Sequence, residues 1–242
     1  MSDQKGIRVP RYRAREAEGA EDMRNARALR HLCFHGRPGI DADGHDDACR
    51  HVLIEDADGK LAATFRTQTV RGPEVEHCYS AVRYDLSPLA GQPGPQVELG
   101  RFCIRPGPPD TDLLRVAWGA LARIVLGEAA STLFGCTSFA GTDPHRYADG
   151  FALLGERYLG PAQVRPRRRA EEVVQFPKTP PNLPEALRQL PPLLRAYVGM
   201  GGWTSDHAVV DRDLGTIHVF TAVEIARIPT GRVAALHTLA AR

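Results

Sequence analysis

Apolar residues recur along this chain at two spacings, one typical of amphipathic helices and the other of strands. Between residues 21 and 34 the apolar positions fall on one helical side, and the turn Gly36-Arg37-Pro38-Gly39 follows, which predicts a helix that ends there. The same spacing predicts further helices at 112–126, at about 144–158, and at 183–197 with an interruption at Pro191 and Pro192.

Shorter apolar runs alternate with these helices. They predict strands at 51–55, 61–70, 97–104, 131–139, 172–176 and 216–223. The first two flank the turn Asp56-Ala57-Asp58-Gly59, which is typical of an antiparallel hairpin. The run at 97–104, its following helix and the run at 131–139 predict parallel strands, and a Gly-rich loop is expected over 199–215. The order indicates an α/β protein with a mixed sheet.

Two charges, Glu98 and Arg101, interrupt the apolar run at 97–104. Alternate side chains of a strand share a face, so these two charges point to opposite faces unless a twist or bulge brings both to one cleft. A buried ion is costly unless it is paired or solvated. The pair is therefore either an ion pair that joins two strands or part of a functional site.

Composition sets ordinary bounds. With 242 residues, 43% of them hydrophobic and 25% charged, the chain is typical of a soluble protein with one large domain or a domain and an extension. No apolar segment approaches the roughly 20 residues that span a bilayer, and residues 1–6 lack the apolar region of a signal peptide, so we expect a cytoplasmic protein.

Cysteine spacing and net charge give no reason to expect a disulfide-rich, metal-binding or nucleic-acid-binding protein. The 5 cysteines form no CxxC pair, which argues against a disulfide framework, and no spacing predicts a metal site. A formal charge of +2 gives no reason to expect a nucleic-acid partner. The local basic run at 165–169 is either a solvated loop or a surface that meets an acidic partner or anionic lipid.

Five segments together resemble a known family of acyltransferases. They are Arg30–Phe34, Asp41–Asp47, Phe65-Arg66, Glu98–Ile104 and Gly201–Asp206. They resemble the ornithine N-acyltransferases, GNAT-like enzymes that make lyso-ornithine lipid and are related in fold to acyl-homoserine-lactone synthases. The resemblance implies a GNAT-like core over 1–164 and a C-terminal extension over 165–242 that packs on it and closes the acceptor site.

The resemblance also implies which residues form the site. The family's helical arginine, two aspartates, strand-end arginine and Glu-x-x-Arg strand correspond to Arg30, Asp43, Asp46, Arg66, Glu98 and Arg101. His45 stands where the family often has an aromatic residue. Asp43 and Asp46 either hold a second ammonium of the acceptor or lie at a helix start, and Arg30 and Arg66 either bind a carboxylate or order the aspartates.

The chemistry of acyl transfer suggests roles for Glu98 and Arg101. An alkylammonium has a pKa near 10, so the attacking amine needs a base at neutral pH. Glu98 is the expected base because a desolvated carboxylate accepts a proton more readily, although Arg101 opposes that effect. Arg101 is expected to hold the acceptor carboxylate and Trp203 of the Gly-rich loop to bind substrate. Asp206 and His207 of that loop are expected to close the acceptor pocket, and the alternative for His207 is a structural role.

The segment 105–112 bears on the acyl donor. Three prolines there remove backbone donors, and Asp110 and Asp112 add negative charge where GNAT enzymes hold a pyrophosphate. We therefore expect no bound cofactor and, as donor, the acyl-phosphopantetheine of acyl carrier protein. Arg105, Arg115 and Arg123 are expected to dock that acidic partner, and the alternative for Arg115 and Arg123 is the solvated face of their helix.

These observations favour an N-acyltransferase that moves a (3-hydroxy)acyl group from acyl carrier protein to the α-amine of L-ornithine. Its product would partition into a membrane, so peripheral contact with the inner membrane is expected. Three alternatives remain: transfer to another amino acid such as glutamine, a lactone synthase that uses S-adenosylmethionine, and a non-catalytic module that binds acyl carrier protein or lipid.

Overall fold

The computed structural model describes residues 11–108 and 110–240, so the segment 1–6 used above lies outside the described residues. The strands are β1 Tyr12–Glu16, β2 Arg50–Asp56, β3 Leu61–Arg71, β4 Tyr84–Asp85, β5 Pro95–Ile104, β6 Thr132–Ala140, β7 Arg167–Arg168, β8 Val173–Gln175, β9 Trp203–Asp211 and β10 Thr216–Glu224. The helices are α1 Gly19–His35, α2 Thr111–Gly127, α3 Ala148–Arg157, α4 Leu183–Gln189, α5 Pro192–Gly199 and α6 Thr230–Ala240.

Eight of these strands form one mixed sheet in the order β1-β2-β3-β5-β6-β10-β9-β8. The antiparallel pairing of β2 with β3 and the parallel pairing of β5 with β6 confirm both sequence predictions. Parallel pairing runs from Gln96 opposite Thr132 to Leu99 opposite Gly135, and beyond that point β5 and β6 separate. The predicted mixed α/β fold is therefore confirmed.

A bulge in β5 brings both charges of this strand to one face of the sheet. Arg66 of β3 pairs with Gly100, whereas Thr64 pairs with Cys103, so β5 carries one extra residue between them. Arg101 takes up that residue with a left-handed φ of 52°. Because of the bulge, Glu98 and Arg101 both contact Tyr79, the first residue of a 3-10 turn over Tyr79–Val82.

Helices cover both faces of the sheet. On the face that we call the α2 face, Phe65 and Leu133 pack with α2, and Ile217 and Val219 pack with residues of α3 and α4. On the α1 face, 3-10 turns between residues 72 and 89 bury Phe134 and Phe220. Phe65 and its neighbour Arg66 point to opposite faces, so Arg66 meets Arg30 of α1 through Asp46.

The largest departure from the sequence prediction is β9. The segment 199–215 was expected to be a loop, but residues 203–211 form a buried strand between β8 and β10. Its polar residues hid the pattern because Ser205 and His207 are buried and hydrogen-bonded within the protein. The segment 165–240 thus adds three strands to the main sheet, and the domain boundary at 164 stays a prediction.

Other differences are smaller. The predicted helix at 183–197 is divided into α4 and α5 at the expected prolines, and the helix at 144–158 begins with a 3-10 turn over Pro144–Tyr147. Sequence reasoning did not predict β1 or α6. Across the described ranges, every helix is too short or too polar to cross a bilayer.

Candidate active site

Three aspartates and three arginines form a closed ring on the α1 face. The aspartates lie between α1 and β2, and the arginines come from α1, β3 and β5. Round the ring, the order is Arg30, Asp41, Arg101, Asp43, Arg66, Asp46 and back to Arg30. Each neighbouring pair is joined by a hydrogen bond of 2.5 to 2.9 Å. We call these six residues the ion-pair ring.

The ion-pair ring satisfies charges that are mostly shielded from water. The side chains of Arg30 and Asp46 are each 1% exposed, and that of Asp43 is 20% exposed. Burial alone raises the pKa of Asp43, but hydrogen bonding and charge from Arg66 and then Arg101 outweigh it and hold the pKa below its usual value. Burial also raises the pKa of Asp46, but hydrogen bonding and charge from Arg30, then hydrogen bonds from Arg27 and Arg66, hold it well below its usual range.

This arrangement brings together five of the predicted site residues and adds Asp41, which sequence reasoning did not select. Asp46 accepts hydrogen bonds from Arg30, Arg66 and the half-exposed Arg27. A substrate ammonium would have to compete with guanidinium groups for Asp43 or Asp46. Arg30 and Arg66 are both paired with aspartates in the structure, and their role in the function stays a prediction.

Arg101 is the member of the ion-pair ring that lines a cavity. Its Nε and Nη2 donate to Asp41 and Asp43, while its Nη1 makes no hydrogen bond to any described residue. The ring centroids of Tyr79 and Phe34 lie 4.4 and 5.6 Å from its guanidinium carbon. Cation–π contact and the two ion pairs fix the guanidinium, so Nη1 can receive an anion.

Glu98 is buried in the sheet and does not line the cavity. It is 3% exposed, and its two oxygens accept hydrogen bonds from the backbone amides of Tyr79 at 3.1 Å and Ser80 at 2.7 Å. The carboxylate therefore holds the turn that carries the Tyr79 ring. Its predicted action as a base needs an intermediary between it and the cavity.

The cavity has a volume of about 430 Å³ and passes between β5 and β6 where they separate. That volume falls within the roughly 300–1,000 Å³ of small-molecule sites. Its α1 side is lined by Phe34, Tyr79 and Arg101, and its α2 side is mostly apolar, with Leu114, Trp118 and Leu193. A Cβ on Gly135 would lie 2.2 Å from the Leu99 carbonyl oxygen, so only glycine fits where the strands begin to separate.

A second polar group reaches the cavity from β10. His218 lines the cavity, is 1% exposed overall, and lies with Nε2 3.9 Å from Asp211 Oδ2. Asp211 is also buried and accepts hydrogen bonds from the Tyr79 hydroxyl at 3.3 Å and the Leu214 amide at 3.1 Å. Burial lowers the pKa of His218 to about 4, although the Asp211 carboxylate opposes the shift.

Comparison with known proteins agrees with this geometry. The acetyltransferase (GNAT) domain family matches residues 28–119, which include the second half of α1, the aspartates and β5. The L-ornithine N(alpha)-acyltransferase of Rhodobacter capsulatus is 30% identical over 232 residues, covering 88% of this chain and 90% of that protein. This chain belongs to the L-ornithine N(alpha)-acyltransferase family of GNAT proteins. The predicted family is therefore confirmed.

Two further relatives extend the comparison. The family member from Brucella abortus is 30% identical over 202 residues, covering 78% of this chain and 71% of that protein. The structure of FeeM, an N-acyl amino acid synthase from uncultured soil microbes, matches with a TM-score of 0.56 at 9% identity. It covers 93% of this chain and all of FeeM, which confirms the GNAT-like fold.

Trp203 and Asp206 lie away from the cavity of this acyltransferase. Trp203 is 8% exposed in β9 and packs against Phe220 at 5.8 Å between ring centroids. Asp206 is half-exposed and contacts His207 at 2.8 Å and Arg165 at 3.4 Å. The expectation that both belong to a loop is wrong, because both lie within β9, and their acceptor-binding role stays a prediction.

The three arginines expected to dock the carrier protein lie near the two ends of α2. Arg105 is bound to Asp56 at 2.8 Å, and Arg115 lies 3.7 Å from Asp112 on the exposed side of the helix. Arg115 and Arg123 line one surface groove of about 940 Å³ beside β1. Their docking role stays a prediction.

Sequence reasoning missed Tyr79 and His218. Tyr79 lies in a stretch with no regular apolar pattern, so nothing in the sequence singles it out. His218 carried a signal, because it interrupts an apolar strand as Glu98 does.

Proposed function

We propose that this GNAT acyltransferase moves a (3-hydroxy)acyl group from acyl carrier protein to the α-amine of L-ornithine and so produces lyso-ornithine lipid. The relatives from Rhodobacter capsulatus and Brucella abortus bear the name L-ornithine N(alpha)-acyltransferase. The observation that carries the proposal is the cavity between β5 and β6, with a guanidinium at one side of the sheet and apolar walls at the other.

The α1 side of the cavity suits an amino acid. Arg101 Nη1 would bind the α-carboxylate by a charge-assisted hydrogen bond, which is stronger than a neutral one. Phe34 and Tyr79 flank that position and limit how the acceptor can turn. A carboxylate held there leaves the neighbouring α-amine directed toward the gap between the strands.

The α2 side suits an acyl chain. Its lining side chains come from α2, from α5 and from Pro191 just before α5. They include Trp118 and Tyr197, whose ring centroids lie 6.0 Å apart. Apolar surface buried by the chain contributes about 25 cal/mol per Å² to binding. A thioester in the gap would then place its carbonyl carbon between the chain and the amine.

The start of α2 argues for a carrier-protein donor. In CoA-dependent enzymes of this fold, free amides at a helix start hold the pyrophosphate. Here Asp110 caps α2, and its Oδ1 accepts from the amides of Asp112 at 2.9 Å and Leu113 at 3.3 Å. A carboxylate already occupies the place of the anion. A phosphopantetheine chain carries one phosphodiester instead of a pyrophosphate, so its binding needs fewer free amides at the start of the helix.

The acyl carrier protein is the expected partner, and the phosphopantetheine arm is its own, so no resident cofactor is proposed. Carrier proteins of this kind are acidic, and Arg115 is exposed beside the entrance to α2. The acylated product is amphipathic, so peripheral contact with the inner membrane on the cytoplasmic side completes the proposal.

The experiment offers the purified protein 3-hydroxyacyl carrier protein and the matching acyl-CoA in parallel, each with ornithine, glutamine and lysine. Mass spectrometry of the products identifies donor and acceptor together. We expect N-acylornithine with the carrier-protein donor and little product with acyl-CoA. Preference for glutamine would replace ornithine as the acceptor, and thioester binding without turnover would favour a non-catalytic module.

A further inference from the structure

Acyl transfer to an amine requires the removal of two protons from nitrogen. The acceptor begins as an ammonium with three protons, and the amide product keeps one. The first proton is released to solvent before attack, because only the neutral amine has a lone pair. The second leaves nitrogen after the nitrogen–carbon bond has formed, and a base must take it up and pass it to the leaving thiolate as the carbon–sulfur bond breaks. A group that accepts that proton within the cavity is therefore needed.

Most acidic groups near the cavity are already committed. The carboxylates of the ion-pair ring are bound by guanidinium groups that hold the pKa values of Asp43 and Asp46 low, which makes them poor proton acceptors. Glu98 is bound to two backbone amides and does not line the cavity. Asp211 accepts hydrogen bonds from Tyr79 and Leu214.

His218 differs from all of these. Its Nε2 makes no hydrogen bond to any described residue, although the side chain is buried at the cavity. The Tyr84 hydroxyl donates to the His218 carbonyl oxygen at 2.9 Å, which leaves the Tyr84 oxygen free to accept from His218 Nδ1 at 3.4 Å. Nδ1 therefore carries the proton and Nε2 presents a lone pair.

We propose that His218 Nε2 takes up the second proton, which the nitrogen loses once it has bonded to the acyl carbon, directly or through one water. This inference rests on the proposed function. The imidazolium that forms is stabilised by the Asp211 carboxylate, whose Oδ2 lies 3.9 Å away. Asp211 thus acts on His218 as a positioning residue.

Charges around His218 keep it neutral before the reaction. Burial opposes the protonated form most, Asp211 from β9 favours it, and Arg83 and Arg101 oppose it. The imidazole therefore holds no proton on Nε2 near pH 7. Once the amine bonds to carbon its nitrogen becomes strongly acidic, so a weakly basic imidazole suffices to receive the proton.

The test compares His218→Gln with His207→Gln. His207 is a matched control because it is also buried, also contacts Tyr84, and does not line the cavity. We expect His218→Gln to lower kcat for N-acylornithine formation by about a hundredfold, the lower end for loss of a general base, with KM for acyl carrier protein unchanged. His207→Gln is expected to keep kcat close to the wild-type value.

A second measurement separates proton transfer from structure. An α-hydrazino analogue of ornithine is less basic, so its nitrogen is more acidic once it has bonded to the acyl carbon and can lose that proton to water without a protein base. The deficit of His218→Gln should therefore shrink with it. A purely structural defect would lower both rates equally and would overturn the inference. If His218→Gln fails to fold by circular dichroism, His218→Asn with the same two acceptors takes its place.

The outcomes distinguish the two proposals. Wild-type protein that forms no N-acylornithine with any acyl carrier protein refutes the proposed function itself. Wild-type turnover together with a folded His218→Gln variant of equal kcat refutes the role of His218 alone. Glu98→Gln measured with the same two acceptors shows whether the predicted base, rather than His218, carries the dependence on acceptor basicity.

Discussion

Replacement of Arg30 by methionine tests whether the ion-pair ring is coupled. Arg30 and Arg27 lie on α1 and both donate to Asp46, but the side chain of Arg30 is 1% exposed and that of Arg27 is 28% exposed. Loss of one partner of a buried ion pair costs about 3–5 kcal/mol. In Arg30→Met, Asp46 keeps Arg66 and Arg27, and Asp41 keeps Arg101, so we expect the lower value, about 3 kcal/mol.

Arg27→Met is the matched control, and because the Arg27 side chain is 28% exposed we expect a smaller loss, about 1 kcal/mol. Urea unfolding at pH 7, followed by the fluorescence of Trp118 and Trp203, gives the free energy of unfolding and the m-value for each variant. An equal loss in the two variants, or a loss below about 1 kcal/mol for Arg30→Met, would refute the reasoning. It would mean that the ring contributes no more than surface charges do.

Three further predictions follow from the cavity and its lining. Arg101→Lys should raise KM for the amino-acid acceptor in steady-state kinetics but leave KM for acyl carrier protein unchanged, because an ammonium cannot replace the planar guanidinium; equal changes in both would contradict acceptor binding. Trp118→Ala should shift product composition toward longer chains in a mixture of acyl donors, because Trp118 separates the cavity from an adjoining apolar pocket of about 50 Å³; an unchanged product profile would argue against this boundary. Because the pKa of His218 is lowered to about 4 in the folded state, the unfolded state becomes protonated at a higher pH than the folded state does. The free energy of unfolding should therefore fall as pH drops from about 6.5 toward 4, by roughly 2 kcal/mol at pH 5. Urea titrations at pH 7 and pH 5 should show a smaller fall for His218→Gln, and an equal fall would contradict the assignment.

Much of the sheet was predictable because its patterns are local. The turn at 56–59 predicted the β2–β3 hairpin, and a helix between two apolar runs predicted parallel β5 and β6. The strand β9 was not predicted because its polar side chains are buried and hydrogen-bonded within the protein. The alternation of apolar and polar residues does not reveal such hydrogen bonds.

The site was predictable in membership but not in arrangement. Resemblance identified five members of the ion-pair ring, yet closure of the ring by Arg101 depends on the bulge at that residue, which the sequence allowed but did not require. The role of Tyr79 depends on the contact between its ring and Arg101, which joins two segments distant in the sequence. Contacts between distant segments decide such roles, and no periodicity encodes them.

The ion-pair ring also limits how this enzyme can vary. Every member has two neighbours of opposite sign, so reversing one charge creates two repulsive contacts at once. Substitutions within it should be strongly non-additive, and a harmful change at one position should be relieved only by compensating changes on both sides. We therefore expect the six positions to be retained or changed together in evolution, although they are spread over 72 residues from Arg30 to Arg101.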